Sequence, residues 1–167
     1  GRAVYGRLWN ASSQTFSDTF LVNTTTTGSQ SYPNPEHGPR VDTLADGGFV
    51  VVWSSDSNDG SGWAVMGQRF NAAGAKVGAE FQVNETTSGN QYMPDVTGLS
   101  TGGFVVSFYN DNTDVNDTST QNDVYIREYD AAGNPVDGQR KLVSPSNSTE
   151  YQPAIADLGN GSFVVAY

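Results

Sequence analysis

Short runs of valine and aromatic residues alternate along this chain with stretches rich in glycine, serine, threonine, asparagine and aspartate. The run FVVVW at 49–53 is apolar at every position, which predicts a strand that is covered on both faces. The run AVYGRLWN at 3–10 instead alternates, with one set of side chains on each face. No stretch has the periodicity of about 3.6 residues that marks an amphipathic helix, so the pattern predicts an all-β protein.

One pattern of about 60 residues recurs along the chain, which is the signature of a repeat architecture. Its first part is an apolar hairpin, in which strands a and b are joined by a turn whose glycines can take a positive φ. Its second part is an alternating strand c, a polar turn and a short strand d. The hairpin lies at 39–53, 94–108 and 153–167, strand c at 3–10, 64–71 and 123–130, and strand d at 20–23 (FLVN), 81–84 (FQVN) and 141–144 (KLVS).

Four antiparallel strands per unit, with both faces covered, predict the blades of a β-propeller. The units lie at about 1–38, 39–93 and 94–152, with 153–167 completing the first unit, all within a single repeat domain, 1–167. Three blades are too few to close a ring. The chain is therefore expected to be half of a six-bladed ring formed with a second copy, or a fragment of a larger propeller. A β-sandwich and a β-solenoid are the alternatives.

Charge and composition exclude several classes of function. The chain has 18 acidic and 8 basic residues and a net charge of −10, which is the wrong sign for a nucleic-acid-binding protein. It has no cysteine, so disulfides and thiolate metal sites are excluded. No apolar run approaches the length of a transmembrane segment. An acidic surface suits solubility, and aspartates that cluster in loops suit a cation.

The loop between strands b and c concentrates oxygen ligands, reading SSDSNDGSGW at 54–63 and YNDNTDVNDTSTQND at 109–123. Ca²⁺ takes roughly six to eight oxygens from carboxylates, amides and backbone carbonyls, and a glycine lets the loop turn sharply. The alternative is that these residues are simply good turn formers. The candidate calcium ligands are Asp56, Asn58, Asp59 and Gly60 in the first loop, and Asp111, Asn112, Asp114, Asn116 and Asp117 in the second.

Aromatic side chains recur at one place in the unit. A tyrosine precedes the proline that opens strand a in each copy, and a tryptophan follows the first Asp-rich loop. Rings at such positions either fill the space between blades or stack on sugars. The candidate ligand-binding residues are Trp63, Tyr32, Tyr92 and Tyr151.

The combined pattern resembles the repeats of large secreted bacterial calcium-binding exoproteins and adhesins of the RTX/haemolysin-like type. The resemblance rests on Gly47–Trp53, Asp59–Gly62, Gly67–Phe70 and Phe81–Asn84, and the loop position is similar to the calcium loops of FG-GAP propellers. It implies a secreted or cell-surface location and a role in adhesion, surface assembly or glycan binding. The loop at 109–123 departs from it, because it lacks the Asp-Gly-Ser-Gly core.

The leading hypothesis is a non-enzymatic extracellular module for adhesion or structure, stabilised by calcium. One alternative is a lectin propeller that binds carbohydrate between its blades. A second alternative is a propeller glycosidase or lyase, although no pair of carboxylates sits in a distinctive motif. The single histidine, His37, lies in an inserted proline-rich loop beside Glu36. Expected partners are a second copy, further repeats of a longer chain, or glycans.

Overall fold

The computed structural model describes residues 2–30, 38–56, 58–111, 123–142 and 151–167. Within these ranges there is no helix, and fourteen strands pair antiparallel in sheets of two to four strands. The prediction of an all-β protein is confirmed. Among the candidate site residues, those that lie outside the described ranges are Tyr32, Asn112, Asp114, Asn116 and Asp117.

Two small strand pairs come first in the chain. Strand β1 (Tyr5–Gly6) pairs with β4 (Phe20–Leu21), and β2 (Trp9–Asn10) pairs with β3 (Thr15–Phe16). These four strands, here called the N-terminal half-sheet, correspond to strands c and d of one unit. Strand c, predicted as one strand at 3–10, is therefore divided into β1 and β2.

Two complete four-stranded sheets follow, and each runs in the predicted order a, b, c, d. After them comes a two-stranded antiparallel sheet, here called the C-terminal hairpin, which corresponds to strands a and b. The first central sheet contains β5 (Arg40–Thr43), β6 (Phe49–Asp56), β7 (Trp63–Phe70) and β8 (Lys76–Gln82); the second central sheet contains β9 (Gln91–Gly98), β10 (Phe104–Asn110), β11 (Asp123–Tyr129) and β12 (Arg140–Leu142); the C-terminal hairpin contains β13 (Ala154–Gly159) and β14 (Ser162–Ala166).

Strand b is covered on both faces, as its uniform apolar character predicts. In β6, Val50 and Val52 belong to the core shared with the second central sheet. Val51 and Trp53, which point the other way, belong to the core shared with the N-terminal half-sheet. Successive side chains of a strand point to opposite faces, so an apolar run supplies two cores at once.

A third core joins the second central sheet to the C-terminal hairpin. It is built on Leu99, Val105 and Ile126, with Ile155 and Val165 packed from the hairpin. The sheets are thus stacked in chain order, with a separate apolar layer between each successive pair.

Glycine at the centre of strand c leaves room for the phenylalanine of strand d. A Cβ at Gly6 would lie 2.6 Å from the ring of Phe20, and a Cβ at Gly67 would lie 2.5 Å from the ring of Phe81. These residues also face each other in register. The aromatic ring therefore takes the place of a side chain on the neighbouring strand.

The third copy departs from the predicted alignment by one residue. Ile126, which occupies the position of Gly67, faces Arg140 rather than Lys141. The alignment of KLVS at 141–144 with FQVN at 81–84 is therefore wrong, because Arg140 takes the place of Phe81. With no glycine opposite, an aromatic residue is no longer required there, and the sequence signal that would set the register is lost.

Candidate functional site

The first Asp-rich loop, between β6 and β7, is closed by its own hydrogen bonds. One oxygen of Asp59, Oδ1, accepts from the Ser61 N–H at 3.1 Å. The other, Oδ2, accepts from Nδ2 of Asn84 at 2.9 Å, which ties the loop to the end of strand d. Gly60 turns the loop with a φ of 91°, a conformation that favours glycine.

The other two candidate ligands in this loop also have contacts within the fold. Nδ2 of Asn58 donates to Oγ of Ser55. The backbone N–H of Asp56 donates to the carbonyl of Ser29 at 2.8 Å. The loop is thus anchored to the connection that precedes strand a.

The described residues of the first loop include two carboxylates, Asp56 and Asp59, and both oxygens of Asp59 accept hydrogen bonds. In the described part of the chain, no three His, Cys, Asp or Glu side chains are grouped so that they could share a metal. Calcium prefers roughly six to eight oxygen ligands.

Asp111, the candidate ligand of the second loop that the structure describes, lies against the segment that enters β9. Its Oδ1 accepts from the Asn90 N–H at 2.7 Å, and its Oδ2 accepts from Asn90 Nδ2 at 2.9 Å and from the Tyr92 hydroxyl at 3.2 Å. Oδ1 of Asn90 in turn accepts from the Trp63 N–H at 3.0 Å. The structure therefore brings together three candidate residues, Trp63, Tyr92 and Asp111, which the sequence suggested for two different ligands.

Three tyrosines, here called the tyrosine cluster, continue from this point. The ring of Tyr109 lies 4.9 Å from that of Tyr92 and 5.3 Å from that of Tyr151, measured between centroids. Tyr109 is buried and Tyr151 is exposed. Burial and the neighbouring Tyr92 and Tyr151 raise the pKa of Tyr109, so its hydroxyl stays protonated. The cluster presents an aromatic face to solvent beside the Asp111 carboxylate.

The sequence reasoning missed a repeated polar motif in the connection from strand d to the next strand a. The series Asn-Xaa-Thr-Thr-Xaa-Gly-Xaa-Gln stands at 23–30 and again at 84–91. The repetition of its asparagine was the visible signal, and the motif extends to a glutamine seven residues later. Both ends of each motif, Asn23, Gln30, Asn84 and Gln91, are fully or almost fully buried.

The motif satisfies backbone groups that strand c would leave without partners. Oδ1 of Asn23 accepts from the Val4 N–H at 2.8 Å, and Oδ1 of Asn84 accepts from the Val65 N–H at 2.9 Å. Nδ2 of Asn84 also donates to Oε1 of Gln91 at 2.9 Å. In both units the asparagine after strand d therefore caps a backbone N–H of strand c.

A cavity of about 400 Å³ lies where the three strand-a segments begin. Here called the strand-a cavity, it is lined by residues in matching positions of the three units. Met93 and Gln152, each between a cluster tyrosine and a proline, have left-handed backbone angles, with φ of 54° and 49°. Met93 and Pro94 form a bulge opposite a single residue of β10. The charged residues that line the strand-a cavity are Arg40 and Asp95, and Nε of Arg40 lies 3.8 Å from Oδ1 of Asp95.

Comparison of the chain with protein-family models, with curated proteins and with solved structures found no match. No helix long and apolar enough to cross a membrane is found in the part of the chain that the structure describes.

Proposed function

We propose that this chain is a non-enzymatic structural module of a secreted or cell-surface protein, built of propeller blades and used for adhesion or surface assembly. The single observation that carries the proposal is that matching positions in successive units tie each sheet to the next one. Charged and amide side chains are used in these ties.

The first tie joins strand d of one unit to the motif of the unit before it. The carboxylate of Glu80 accepts from the backbone N–H groups of Thr24 and Thr25, at 2.5 and 3.3 Å. In the next unit, Oε1 of Gln139 accepts from the N–H groups of Glu85 and Thr86, at 2.7 and 3.4 Å. Because Arg140 takes the place of Phe81, Gln139 takes the place of Glu80, so the contact is repeated.

The second tie joins neighbouring strands a. Oδ2 of Asp42 accepts from the Gly98 N–H at 2.9 Å, and at the matching positions of the next unit Oγ1 of Thr97 accepts from the Asp157 N–H at 3.2 Å. A Cβ at Gly98 would overlap the carbonyl of Thr43, so the two backbones approach closely there. Strands a that lie side by side, with the other strands of each sheet stacked outward, support the propeller arrangement.

The proposal includes stabilisation of the fold by calcium, which can be tested separately. We expect the melting temperature to rise when Ca²⁺ is added and to fall with EDTA, because a ligand that binds only the folded state stabilises it by mass action. Asp59→Asn keeps one carbonyl oxygen but removes the charge, and Asp111→Asn does the same in the second loop. A melting temperature that is unchanged by EDTA in the parent chain would remove calcium from the proposal.

A second candidate function, carbohydrate binding, is favoured by the tyrosine cluster. Exposed Tyr151 stacks on buried Tyr109 with an angle of 17° between the rings, beside the Asp111 carboxylate. Aromatic faces next to polar acceptors suit the apolar face and the hydroxyls of a sugar. Glycan-array binding that is lost in Tyr151→Ala and kept in Phe16→Ala, a similarly exposed aromatic residue elsewhere, would support it. No binding to any glycan by the parent chain would remove it.

The glycosidase or lyase alternative has less to support it. Hydrolysis of a glycosidic bond uses two carboxylates on opposite sides of the substrate. The strand-a cavity has one carboxylate among its described lining residues, Asp95, and this group already contacts Ile155 and Arg40. No observation on the described residues favours this alternative over the structural one.

A further inference from the structure

Large apolar side chains at the two ends of the sheet stack are exposed, although their counterparts in the central sheets are buried. Trp9 is 54% exposed, whereas Phe70 at the same position is 2% exposed. Leu158 is 65% exposed, whereas Leu44 is 7% exposed. The sequence pattern is the same at these positions, so the difference comes from missing neighbours.

The N-terminal end of the stack contains an apolar cavity of about 310 Å³. It is lined by Val4, Phe20 and Val22 of the N-terminal half-sheet and by Val41 and Val51 of the first central sheet. Val41 is exposed, whereas Val96, its counterpart in the next unit, is buried. The half-sheet has no strands a and b among the described residues, and the cavity lies where their side chains would be.

The equivalent space between the two central sheets is filled by side chains, and these indicate which side chains the cavity would accommodate. Between the two central sheets, the residues that strands a and b direct toward the next sheet are Leu44, Val50 and Val52. Their counterparts in the C-terminal hairpin are Leu158, Val164 and Ala166. None of these three is buried, and Val164 is 47% exposed where Val50 is fully buried. The hairpin therefore carries the side chains that the cavity lacks.

We propose that the C-terminal hairpin of one copy of this chain docks on the N-terminal half-sheet of a second copy, completing a four-stranded sheet and filling the apolar cavity with Leu158 and Val164. Both copies offer both edges, so two chains close on each other twice. The inference rests on the propeller arrangement proposed above and names the partner of that module as the chain itself.

The central sheets predict the register of the new strand pair. In the first central sheet, Trp53 faces Met66 and Val52 faces Gly67. Transferred to the terminal strands, this places Tyr167 opposite Tyr5 and Ala166 opposite Gly6. Unpaired edges of this kind are open templates for another strand.

In the structure, the C-terminal hairpin does not pair with the N-terminal half-sheet of the same chain. Strands β1 and β14 belong to different sheets and are not hydrogen-bonded to each other. Two complete sheets, with their three apolar layers, stand between them. A second copy brings its own hairpin to the free edge without disturbing these layers.

The absence of cysteine allows a clean cross-linking test of this register. In the double variant Tyr5→Cys/Tyr167→Cys, directly opposite strand positions bring the Cβ atoms into disulfide range. We expect a species of twice the chain mass on oxidation, which dithiothreitol returns to single chains. The control is Tyr5→Cys/Tyr151→Cys, in which the second cysteine replaces a tyrosine away from the predicted pair, and we expect little cross-linking.

A second variant tests the cavity by placing a charge in it. Val164→Lys should raise the dissociation constant of the dimer about a hundredfold or more, because the ammonium group would be buried beside Arg7 and Arg40, which also line the cavity. Val136→Lys, at a similarly exposed valine in the turn between strands c and d, should leave it unchanged. Sedimentation velocity over a concentration series measures both, and circular dichroism checks that each variant is folded.

Each outcome decides the inference. A dimer that is cross-linked in the predicted pair and weakened by Val164→Lys supports it. A parent chain that stays monomeric, a disulfide that forms within one chain, or equal effects of the two lysine substitutions would overturn it. A folded monomer with a cooperative melt would leave the structural proposal standing, whereas loss of the cooperative melt in the parent chain would count against that proposal itself.

Discussion

The two central sheets and the two terminal half-sheets are made from the same repeat, yet they differ in how completely they are formed. In the central sheets β6 and β10 are buried on both faces by a sheet on each side. In the C-terminal hairpin the equivalent strand, β14, is covered on one face only, and its burial alternates along the strand. The comparison teaches that the same apolar run is buried on both faces where a sheet packs on each side, and on one face where the described residues provide a sheet on one side only.

The largest effect separates two aromatic residues at the same repeat position. Phe70→Ala should lower the free energy of unfolding by about 3–5 kcal/mol, because it leaves a cavity beside Phe49, whose ring is stacked 4.9 Å away. Trp9→Ala should lower it by less than about 1 kcal/mol in the monomer, since much of that ring is already in water. Urea unfolding of both variants at low protein concentration measures the difference. Equal losses would show that the half-sheet is as well packed as the central sheet.

The next effect compares the two buried asparagines of the repeated motif. Asn84→Ala should lower the free energy of unfolding by about 2–3 kcal/mol, because the Val65 N–H and Gln91 Oε1 both lose their partner. Asn23→Ala removes hydrogen bonds to the Val4 N–H and the Thr25 carbonyl, two where Asn84 makes four, and we expect about 1–2 kcal/mol. Thermal melts of the two variants test the order. A larger loss at Asn23 would contradict the view that the central motif is the more connected one.

A smaller difference is expected between two arginines at equivalent positions of strand c. Arg127 is largely buried; it donates to the Val83 carbonyl at 2.6 Å and pairs with Glu85 at 2.9 Å. Arg127→Ala should therefore lower the free energy of unfolding by about 1–3 kcal/mol. We expect the free energy of unfolding of Arg127→Lys to lie between those of Arg127→Ala and the parent chain. Arg7→Ala, in the half-sheet, should change it by less than about 1 kcal/mol, because Arg7 is exposed. Chemical denaturation gives both values, and identical values would remove this contrast.

The smallest effect concerns pH at the junction of the second central sheet and the hairpin. Hydrogen bonding from Ser100 lowers the pKa of Asp157 below its ordinary value of 3.8. A lowered pKa in the folded state gives stability that is complete above the ordinary value and is lost as the pH falls through the lowered one. Melting of Asp157→Asn should therefore depend less on pH below 4 than melting of the parent. An identical acid dependence would show that this aspartate does not contribute.

Much of the fold could be predicted because the repeat is a local pattern. The two-faced strand b, the alternating strand c and the turn glycines each follow from residues within a few positions of one another. The order a, b, c, d in each central sheet followed from this reading. The Gly67–Phe81 contact strengthens the register of strand d where both residues are present, and the third copy, which lacks both, is the one whose alignment failed.

The candidate site was predictable only in part. Trp63, Tyr92 and Asp111 were singled out for their types and positions. Tyr92 donates directly to Asp111, but Trp63 is joined to Asp111 through Asn90, which has no distinctive signal of its own. The contacts of Asp59 with Ser61 and Asn84 likewise depend on how the loop is folded. An aspartate in a loop has the same sequence signature whether it binds a cation or accepts a hydrogen bond.

The sequence by itself determined the repeat, the all-β class and the faces that each strand buries, because side-chain alternation along a strand is set within the strand. Only the tertiary structure decided which sheet packs on which, the register of β12, and the partners of the buried Asn84 and Gln91. It also showed that Leu158 and Val164 are exposed, whereas Leu44 and Val50 at the same repeat positions are buried. Those features depend on contacts between residues far apart in the chain, and a local sequence pattern does not determine the free energy of such contacts.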